Sequence, residues 1–440
     1  ERKKMEEGLR YSNEHDNWTG LHNRRYLEKY LIHENTKREK FKKALISINL
    51  SELHALSITY GFNYHQEVVK KVAKTLSYFG SDRCSLFHIS ENRFLFYLKK
   101  YEDKGELNAF CDVVSDTLES LLSIEGVGGG IGVVEINSNS KPEIDTLITN
   151  TMIASEKVDD DYDRDFGYCF FDKEMETRIM REEQIKYDLT QISGGIDTDR
   201  LFLLFQPIID LKTGKVWGFE ALARLDSKEL GLVSPLEFIP IAEKTKLIIP
   251  LGELIIRKSF HFLKQLRAEG YDEYNVSINI SAIQLMRSDF SKNIFEIMGE
   301  MAVNPENVCI EITESIFTTN YHEINKILGE LKQLGVKSAI DDFGTGYSSF
   351  AREWELNVNS LKIDRYFVNK LLSLQSLEEA ITGDIISMAH KLGHLVIAEG
   401  VEEESQKEYL RSKGCDKIQG YLISKPLALG KAIEFLKSYD

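Results

Sequence analysis

LFLLFQPI (201–208), VWGFEALARL (216–225), VSINIS (276–281), VCIEIT (308–313), KSAIDDFG (337–344), SLKID (360–364), LVIAEGV (395–401) and KIQGYLI (417–423) are eight apolar, strand-length runs that punctuate the second half of the chain. Most are separated by stretches with helical spacing, such as LGELIIRKSFHFLKQLRAEG (251–270). Strand and helix alternating eight times is the count for a (β/α)8 barrel. Only DLKTGK (210–215) joins the first two runs, which is a hairpin connection. The barrel is therefore expected to begin with an antiparallel pair and to be irregular.

Each of these runs carries, at or near its end, a residue able to bind a metal ion or move a proton. They are Glu220, Asn279, Glu311, the neighbours Asp341 and Asp342, Lys362 with Asp364, Glu399 and Gln419. In a barrel the C-terminal strand ends converge on one face, where active sites are built. Acids gathered in one bowl repel one another unless cations neutralise them, and an all-oxygen ligand set suits Mg²⁺ or Mn²⁺ better than zinc. Asp341 and Asp342 at one strand end can flank two such ions, a geometry suited to in-line displacement at phosphorus. A lysine beside them can orient the attacking water or stabilise developing charge. A single strand-end acid is ordinarily a solvated or helix-capping residue; a full set at consecutive strand ends is hard to obtain that way.

The first half has a different texture. Residues 15–172 alternate ALISINL, LFHISENRFLFYL, GGGIGVVEI and YCFFD with helical stretches such as QEVVKKVAKTLSYF, which predicts an α+β domain with one central sheet. KEMETRIMREEQIKYDLTQ (173–191) lacks Gly and Pro and reads as a helix joining two domains. The expected organisation is an N-terminal helix end at 1–14, an α+β domain at 15–172, a connecting helix at 173–190 and the barrel at 191–440. The chain opens at Glu1 on a charged stretch, read as the end of a helix from a longer protein with an upstream sensor or membrane segment.

Composition bounds the functions available. The 440 residues are 42% hydrophobic and 28% charged, an ordinary globular balance. A net charge of −15 argues against a broad surface for a nucleic-acid polymer or an anionic membrane. Five scattered cysteines without a CxxC fit reduced thiols in the cytoplasm. No apolar run is long enough to span a membrane. GTGYSS after Asp341-Asp342-Phe343 lacks the lysine of a phosphate-binding loop, and His390 with His394 is read as two ordinary helix-end histidines separated by Gly393.

The motifs QPI (206–208), EALAR (220–224), NIS (279–281), EITE (311–314), DDFGTGYSS (341–349), LKID (361–364), AEGVE (398–402) and QGY followed by KPL (419–427) resemble, in order, those of the EAL family of cyclic di-GMP phosphodiesterases. The resemblance covers about 185–440. It implies an irregular TIM barrel that linearises cyclic di-GMP to pGpG with two divalent ions, Mg²⁺ or Mn²⁺. By the same resemblance Glu220, Asn279, Glu311 and Asp341 hold one ion, and Asp341, Asp342 and Glu399 the other. Lys362 acts on the attacking water, Gln419 sits beside it, and Glu402 braces the DDFGTGYSS loop. Gln206, Arg224 and Asp364 contact substrate. Leu225 and Ala223 depart from the residues common in the family, without removing a ligand or a charge.

DNWTGLHNRRYLEKYL (16–31) is similar to the opening of GGDEF diguanylate cyclase domains. Their signature, however, falls on Ser90, Glu91, Asn92, Arg93 and Phe94, so the glycines that admit phosphate and the catalytic acid are replaced. Asn49 stands at the first metal aspartate, Ser57 and Gln66 at the guanine-reading positions, and Ser81-Asp82-Arg83-Cys84 where the inhibitory RxxD would lie. The resemblance thus implies a degenerate cyclase domain acting as regulator or dimer platform, and a homodimer. The alternative is a receptor that holds cyclic di-GMP without cutting it; such receptors typically lack one or more metal ligands or the lysine, and here all are present.

Overall fold

The computed structural model of the chain describes residues 11–36, 41–51, 53, 56, 60–136, 143–158, 166–344, 356–371 and 377–439. The chain divides into two compact units between Met180 and Arg181. A helix-length segment, Lys173–Ser193, carries the chain across that division. Among the described residues, no helix is long and apolar enough to cross a membrane.

The first unit runs β1 (His22–Asn23), α1 (Arg24–Thr36), β2 (Lys43–Leu50), α2 (Phe62–Ser77), β3 (Cys84–Ser90), β4 (Arg93–Lys99), α3 (Lys104–Leu122), β5 (Gly129–Ile136), α4 (Ile144–Lys157) and β6 (Phe166–Phe170), followed by α5 (Lys173–Ser193). Its six-stranded sheet has the order β1-β3-β4-β2-β5-β6. β2 is buried along its whole length because both its faces are covered. Side chains alternate across it with the two-residue period of a strand. Ala44, Ile46 and Ile48 join α2 and α3 in one core, while Leu45 joins α1 and α4 in another. The single run LFHISENRFLFYL resolves into two antiparallel strands, β3 and β4, turning at Glu91 and Asn92.

The second unit runs β7 (Leu201–Asp210), β8 (Val216–Ser227), β9 (Gly231–Val233), α6 (Pro235–Lys244), α7 (Ile248–Ala268), β10 (Asn275–Asn279), α8 (Ala282–Leu285), α9 (Phe290–Met301), β11 (Val308–Thr313), α10 (Phe317–Gln333), β12 (Lys337–Phe343), β13 (Ser360–Ile363), α11 (Arg365–Asn369), α12 (Leu377–Lys391), β14 (Leu395–Ala398), α13 (Glu404–Ser412), β15 (Lys417–Ile418) and α14 (Leu429–Tyr439). The strand order β10-β11-β12-β13-β14-β15-β7-β8 closes through a β10–β8 pairing into an eight-stranded barrel. β7 is antiparallel to both its neighbours, β8 and β15, as the short 210–215 connection requires. Phe262 of α7 stacks on Phe205 at 3.8 Å between ring centres and meets Phe219 edge-on, seating that helix against the antiparallel pair.

Two details depart from the sequence reading. β8 continues past Glu220 to Ser227 and pairs with the short β9, so Glu220 lies in mid-strand rather than at a strand end. The last run keeps only Lys417 and Ile418 as strand, and Gly420 turns the chain away so tightly that a Cβ there would lie 2.1 Å from Val401 O. His390 and His394 have separate partners, Asp416 Oδ2 at 2.9 Å and the Val358 carbonyl at 3.1 Å, with Gly393 between them at φ +84°.

Candidate active site

Strand register brings the polar residues together. Asn279 of β10 is the cross-strand partner of Glu311 in β11, and Thr313 of β11 is the partner of Asp341 in β12. Lys362 on β13 faces the same interior, and the Glu399 N–H donates to the Ile363 carbonyl at 3.1 Å, fixing Glu399 just beyond β14. Gln206 of the antiparallel β7 stands directly opposite Glu220 of β8.

Adjacent residues in a regular strand point to opposite faces, so Asp341 and Asp342 would not normally share a site. The β12–β13 register shifts between Ile340 and Phe343, and Asp342 adopts φ +54°. A bulge of this kind re-aims one side chain, and here it turns both carboxylates to the same cluster. Asp341 Oδ1 also accepts the Asp342 N–H at 3.0 Å.

Lys362 is at the centre and is fully buried. Its Nζ lies 2.5 Å from Glu399 Oε1, 2.6 Å from Glu311 Oε2, 3.2 Å from Asp341 Oδ1 and 3.5 Å from Glu220 Oε2. Burial alone would depress its pKa; the surrounding carboxylates, Asp341, Glu220 and Glu311 foremost, hold it well above the usual lysine value. One ammonium cannot neutralise so many acids. Burial, with the charges of Glu220 and Asp341, pushes Glu311 well above the ordinary carboxylate range. Burial, with Asp341 and Glu220, pushes Glu399 up to about 8. Burial and the neighbouring Asp341 and Asp364 carry Asp342 up to about 6. Glu220 is held below its usual value despite burial, because Lys362, Gln419 and Asn279 all stabilise its anion.

Two trios of carboxylates present oxygens within 4.8 Å of one another: Glu220, Glu311 and Asp341, and then Asp341, Asp342 and Glu399. Asp341 belongs to both. Asn279 Nδ2 donates to Glu220 Oε1 at 2.7 Å, leaving its carbonyl oxygen for another partner. Glu311 Oε1 is buried without a hydrogen-bond donor among the described residues, an arrangement that costs stability unless something fills it. The donor set is all oxygen, hard, and over-supplied with negative charge. It fits hard divalent cations.

A pH effect follows with a definite sign. Glu399 binds its proton more tightly in the folded chain than at its ordinary pKa of 4.5, so the stability it contributes is complete below 4.5 and is lost as pH rises through about 8. The chain stripped of cations is expected to melt at progressively lower temperature over that interval. Mn²⁺ should raise the melting temperature more at pH 8.5 than at pH 6, since uptake must displace the proton. Thermal melts with chelator and with Mn²⁺ at both pH values check this; a larger rise at pH 6 would contradict it.

The remaining expected residues sit around this cluster. Arg224 is half-buried on β8, its Nη1 donating to the Ala223 carbonyl at 2.8 Å, and burial draws its pKa below the usual arginine value. Asp364 caps α11, accepting the Tyr366 N–H at 2.8 Å, so it holds a structural position whatever else it touches. The Glu402 N–H donates to Gln406 Oε1 at 2.8 Å at the start of α13. The loop that Glu402 was expected to brace, 345–349, lies outside the described residues. At its described beginning the contact comes from Glu314, whose Oε2 accepts the Gly344 N–H at 2.8 Å. The sequence reading gives Glu314 of the EITE motif no role; the signal for it is an acid three residues beyond a strand-end ligand.

In the first unit, Asn49 of β2 pairs across the sheet with Arg93 of β4. Asn92 Nδ2 donates to Asn49 Oδ1 at 3.0 Å, and the buried Arg93 is ion-paired with Glu156 and reaches Ser155 Oγ at 3.4 Å. Ser90 and Glu91 lie at the hairpin end and Phe94 is buried in the sheet core. Ser57 lies outside the described residues.

Comparison with known proteins places these observations. Residues 190–426, more than half of the chain, match the profile described as EAL domain, and residues 13–161 match that of the diguanylate cyclase, GGDEF domain. An uncharacterised Synechocystis protein is 30% identical over 99% of this chain, which spans 62% of that relative's length. MucR of Pseudomonas aeruginosa, a bifunctional diguanylate cyclase/cyclic di-GMP phosphodiesterase, is 27% identical over 94% of this chain and 60% of its own length. A cyclic di-GMP phosphodiesterase of the same organism, PA2567, is 28% identical over 95% of this chain and 71% of its own. The solved structure of the PaMucR phosphodiesterase in complex with c-di-GMP matches with a TM-score of 0.54 and 33% identity, covering 57% of this chain and 99% of that one. The eight-stranded barrel with its carboxylate cluster, preceded by a GGDEF domain, belongs to the EAL domain family.

Proposed function

We propose that this chain hydrolyses cyclic di-GMP to linear 5′-pGpG in its barrel, with two divalent cations, Mg²⁺ or Mn²⁺, held by Glu220, Asn279, Glu311, Asp341, Asp342 and Glu399. The observation that carries the reading is the two carboxylate trios sharing Asp341 around the buried Lys362. With all five acids ionised, as ligation requires, they leave four negative charges against one ammonium, which two divalent cations balance. When bound, such a pair supplies Lewis acidity and lowers the pKa of water.

The residues divide the remaining work. Water attacks phosphorus in line, the P–O3′ bond breaks, and the ring opens to a 5′-phosphate. Lys362, whose carboxylate neighbours hold its pKa well above the usual lysine value, acts as a donor, orienting the water and stabilising charge on the phosphoryl oxygens. Glu399 beside it would accept the water's proton, and the departing O3′ takes up a proton from solvent to become the 3′-hydroxyl. Gln206 and Arg224 border the bowl where the guanines and the second phosphate would lie, Arg224 pairing through its planar fork.

The test is product analysis after incubating the chain with cyclic di-GMP and Mn²⁺. Linear pGpG is the expected product; binding without product would move the assignment to a receptor. Arg224→Ala is expected to raise KM more than it lowers kcat. Equal hydrolysis of a generic phosphodiester would contradict this substrate choice.

The same reading makes residues 15–172 a regulatory or dimerising domain without cyclase activity, joined to the barrel domain (191–440) by the segment 173–190, in a cytoplasmic homodimer. Arg93 puts a cation, already paired with Glu156, beside Asn49 where cyclase chemistry needs acids for metal ions. Neither GTP turnover nor GTP binding in the micromolar range is expected, and calorimetry with GTP and Mg²⁺ checks this. Deleting 1–172 is expected to change assembly or turnover, and unaltered sedimentation and kinetics would count against a regulatory role.

A further inference from the structure

A line of side-chain amides connects the antiparallel strand to the carboxylate cluster. Gln206 Nε2 on β7 donates to the Ser424 carbonyl at 3.1 Å. Gln206 Oε1 accepts from Gln419 Nε2 at 3.0 Å, and the same nitrogen donates to Glu220 Oε2 at 2.6 Å. Both ends of this line, a backbone carbonyl and a carboxylate, can only accept, so the direction of each amide is dictated by its partners. Both hydrogens of the Gln419 amide are thereby committed. Its Oε1 is left buried and without a donor among the described residues.

The placement depends on the irregular part of the barrel. Gln206 faces Glu220 only because β7 runs antiparallel and sets them as cross-strand partners. Gln419 reaches both because β15 stops at Ile418 and Gly420 packs against the Val401 backbone. The two glutamines are 7% and 4% exposed. Uncharged amides buried this deeply are held by their hydrogen bonds and in turn fix the groups they touch.

We propose that Gln206 and Gln419 are positioning residues that orient the Glu220 carboxylate for a divalent cation, so that Gln206 sets metal affinity before any nucleotide arrives. The proposal rests on the reading of the cluster as a metal site and adds a role for Gln206 beyond contact with substrate. Groups of this kind, which hold a ligating carboxylate from behind, typically change metal affinity by about 10–100-fold when removed.

Mn²⁺ titrated into the full, metal-stripped chain without nucleotide, with the free ion followed by electron paramagnetic resonance, tests it. Gln206→Met and Gln419→Met are each expected to weaken Mn²⁺ binding about tenfold. The double variant is expected to be no weaker than the worse single, because either substitution already breaks the line. If Gln206→Met fails to fold by circular dichroism, Gln206→Asn, which keeps an amide but stops short of Gln419, gives the same reading. Wild-type affinity in a folded Gln206 variant, with only KM for cyclic di-GMP raised, would overturn the proposal and leave the metal site intact. Losses that multiply in the double variant would also overturn it. A wild-type chain that takes up no Mn²⁺ would instead remove the metal reading, and the positioning role with it.

Discussion

Lys362→Met is expected to lower turnover of cyclic di-GMP by about 10²–10³-fold, the usual cost of removing one preorganised donor to developing charge. The side chain is fully buried, and its Nζ lies within 3.5 Å of four carboxylates, so its removal takes away the ammonium that those acids share. The same substitution should act on stability in a way that depends on cations. Breaking a buried ion pair by removing one partner typically costs about 3–5 kcal/mol. Here the abandoned acids have another resort, because Glu311 and Glu399 already hold protons more tightly than free carboxylates. The metal-stripped variant should therefore fall further below wild type at pH 9 than at pH 5, because ionising these acids costs more once the ammonium is gone. Paired kinetics and melts read both effects. Turnover within threefold of wild type would remove Lys362 from the chemistry, and a melting deficit confined to low pH would reverse the electrostatic account.

How far the site could be read from sequence depends on what kind of geometry fixed each part. The barrel and its antiparallel start followed from the spacing of eight apolar runs and the short 210–215 connection, both of which are local properties. Most of the carboxylates followed from strand polarity, since a barrel gathers C-terminal strand ends. Glu220 joined the cluster by a different route, from mid-strand, because β8 extends to pair with β9. The β12 bulge was not legible: nothing in DDFG states that the register against β13 will shift, yet without the shift Asp342 would face away from Asp341. The hub position of Lys362 depends on four strands at once. Asp364 shows the opposite case, where a polar strand-end residue also serves as an ordinary helix cap. Glu314 and the Gln206–Gln419 pair were visible as motif letters, but their partners lie on other strands.

Asp341→Asn is expected to abolish more activity than the loss of either flanking acid, by about a thousandfold or ~4 kcal/mol of barrier at the usual conversion. It is the one residue common to both carboxylate trios, so its neutralisation weakens both cation positions, whereas Asp342→Asn touches only the second. Mn²⁺ titration should accordingly show two weakened events for Asp341→Asn and one for Asp342→Asn. The stability effect should run the other way. Asp341 is among the charges that raise the pKa of Glu311, Glu399 and Asp342, so it contributes repulsion whenever cations are absent. Removing that charge also loosens one of the contacts to Lys362, at 3.2 Å, but three other carboxylates remain around the ammonium. With chelator present at pH 8 the variant should melt at or above the wild-type temperature, and with saturating Mn²⁺ below it. A cluster held together for stability alone predicts the reverse order in chelator, a melting temperature clearly below wild type, so the sign of that single difference separates a site built for cations from an ion-pair network built for the fold.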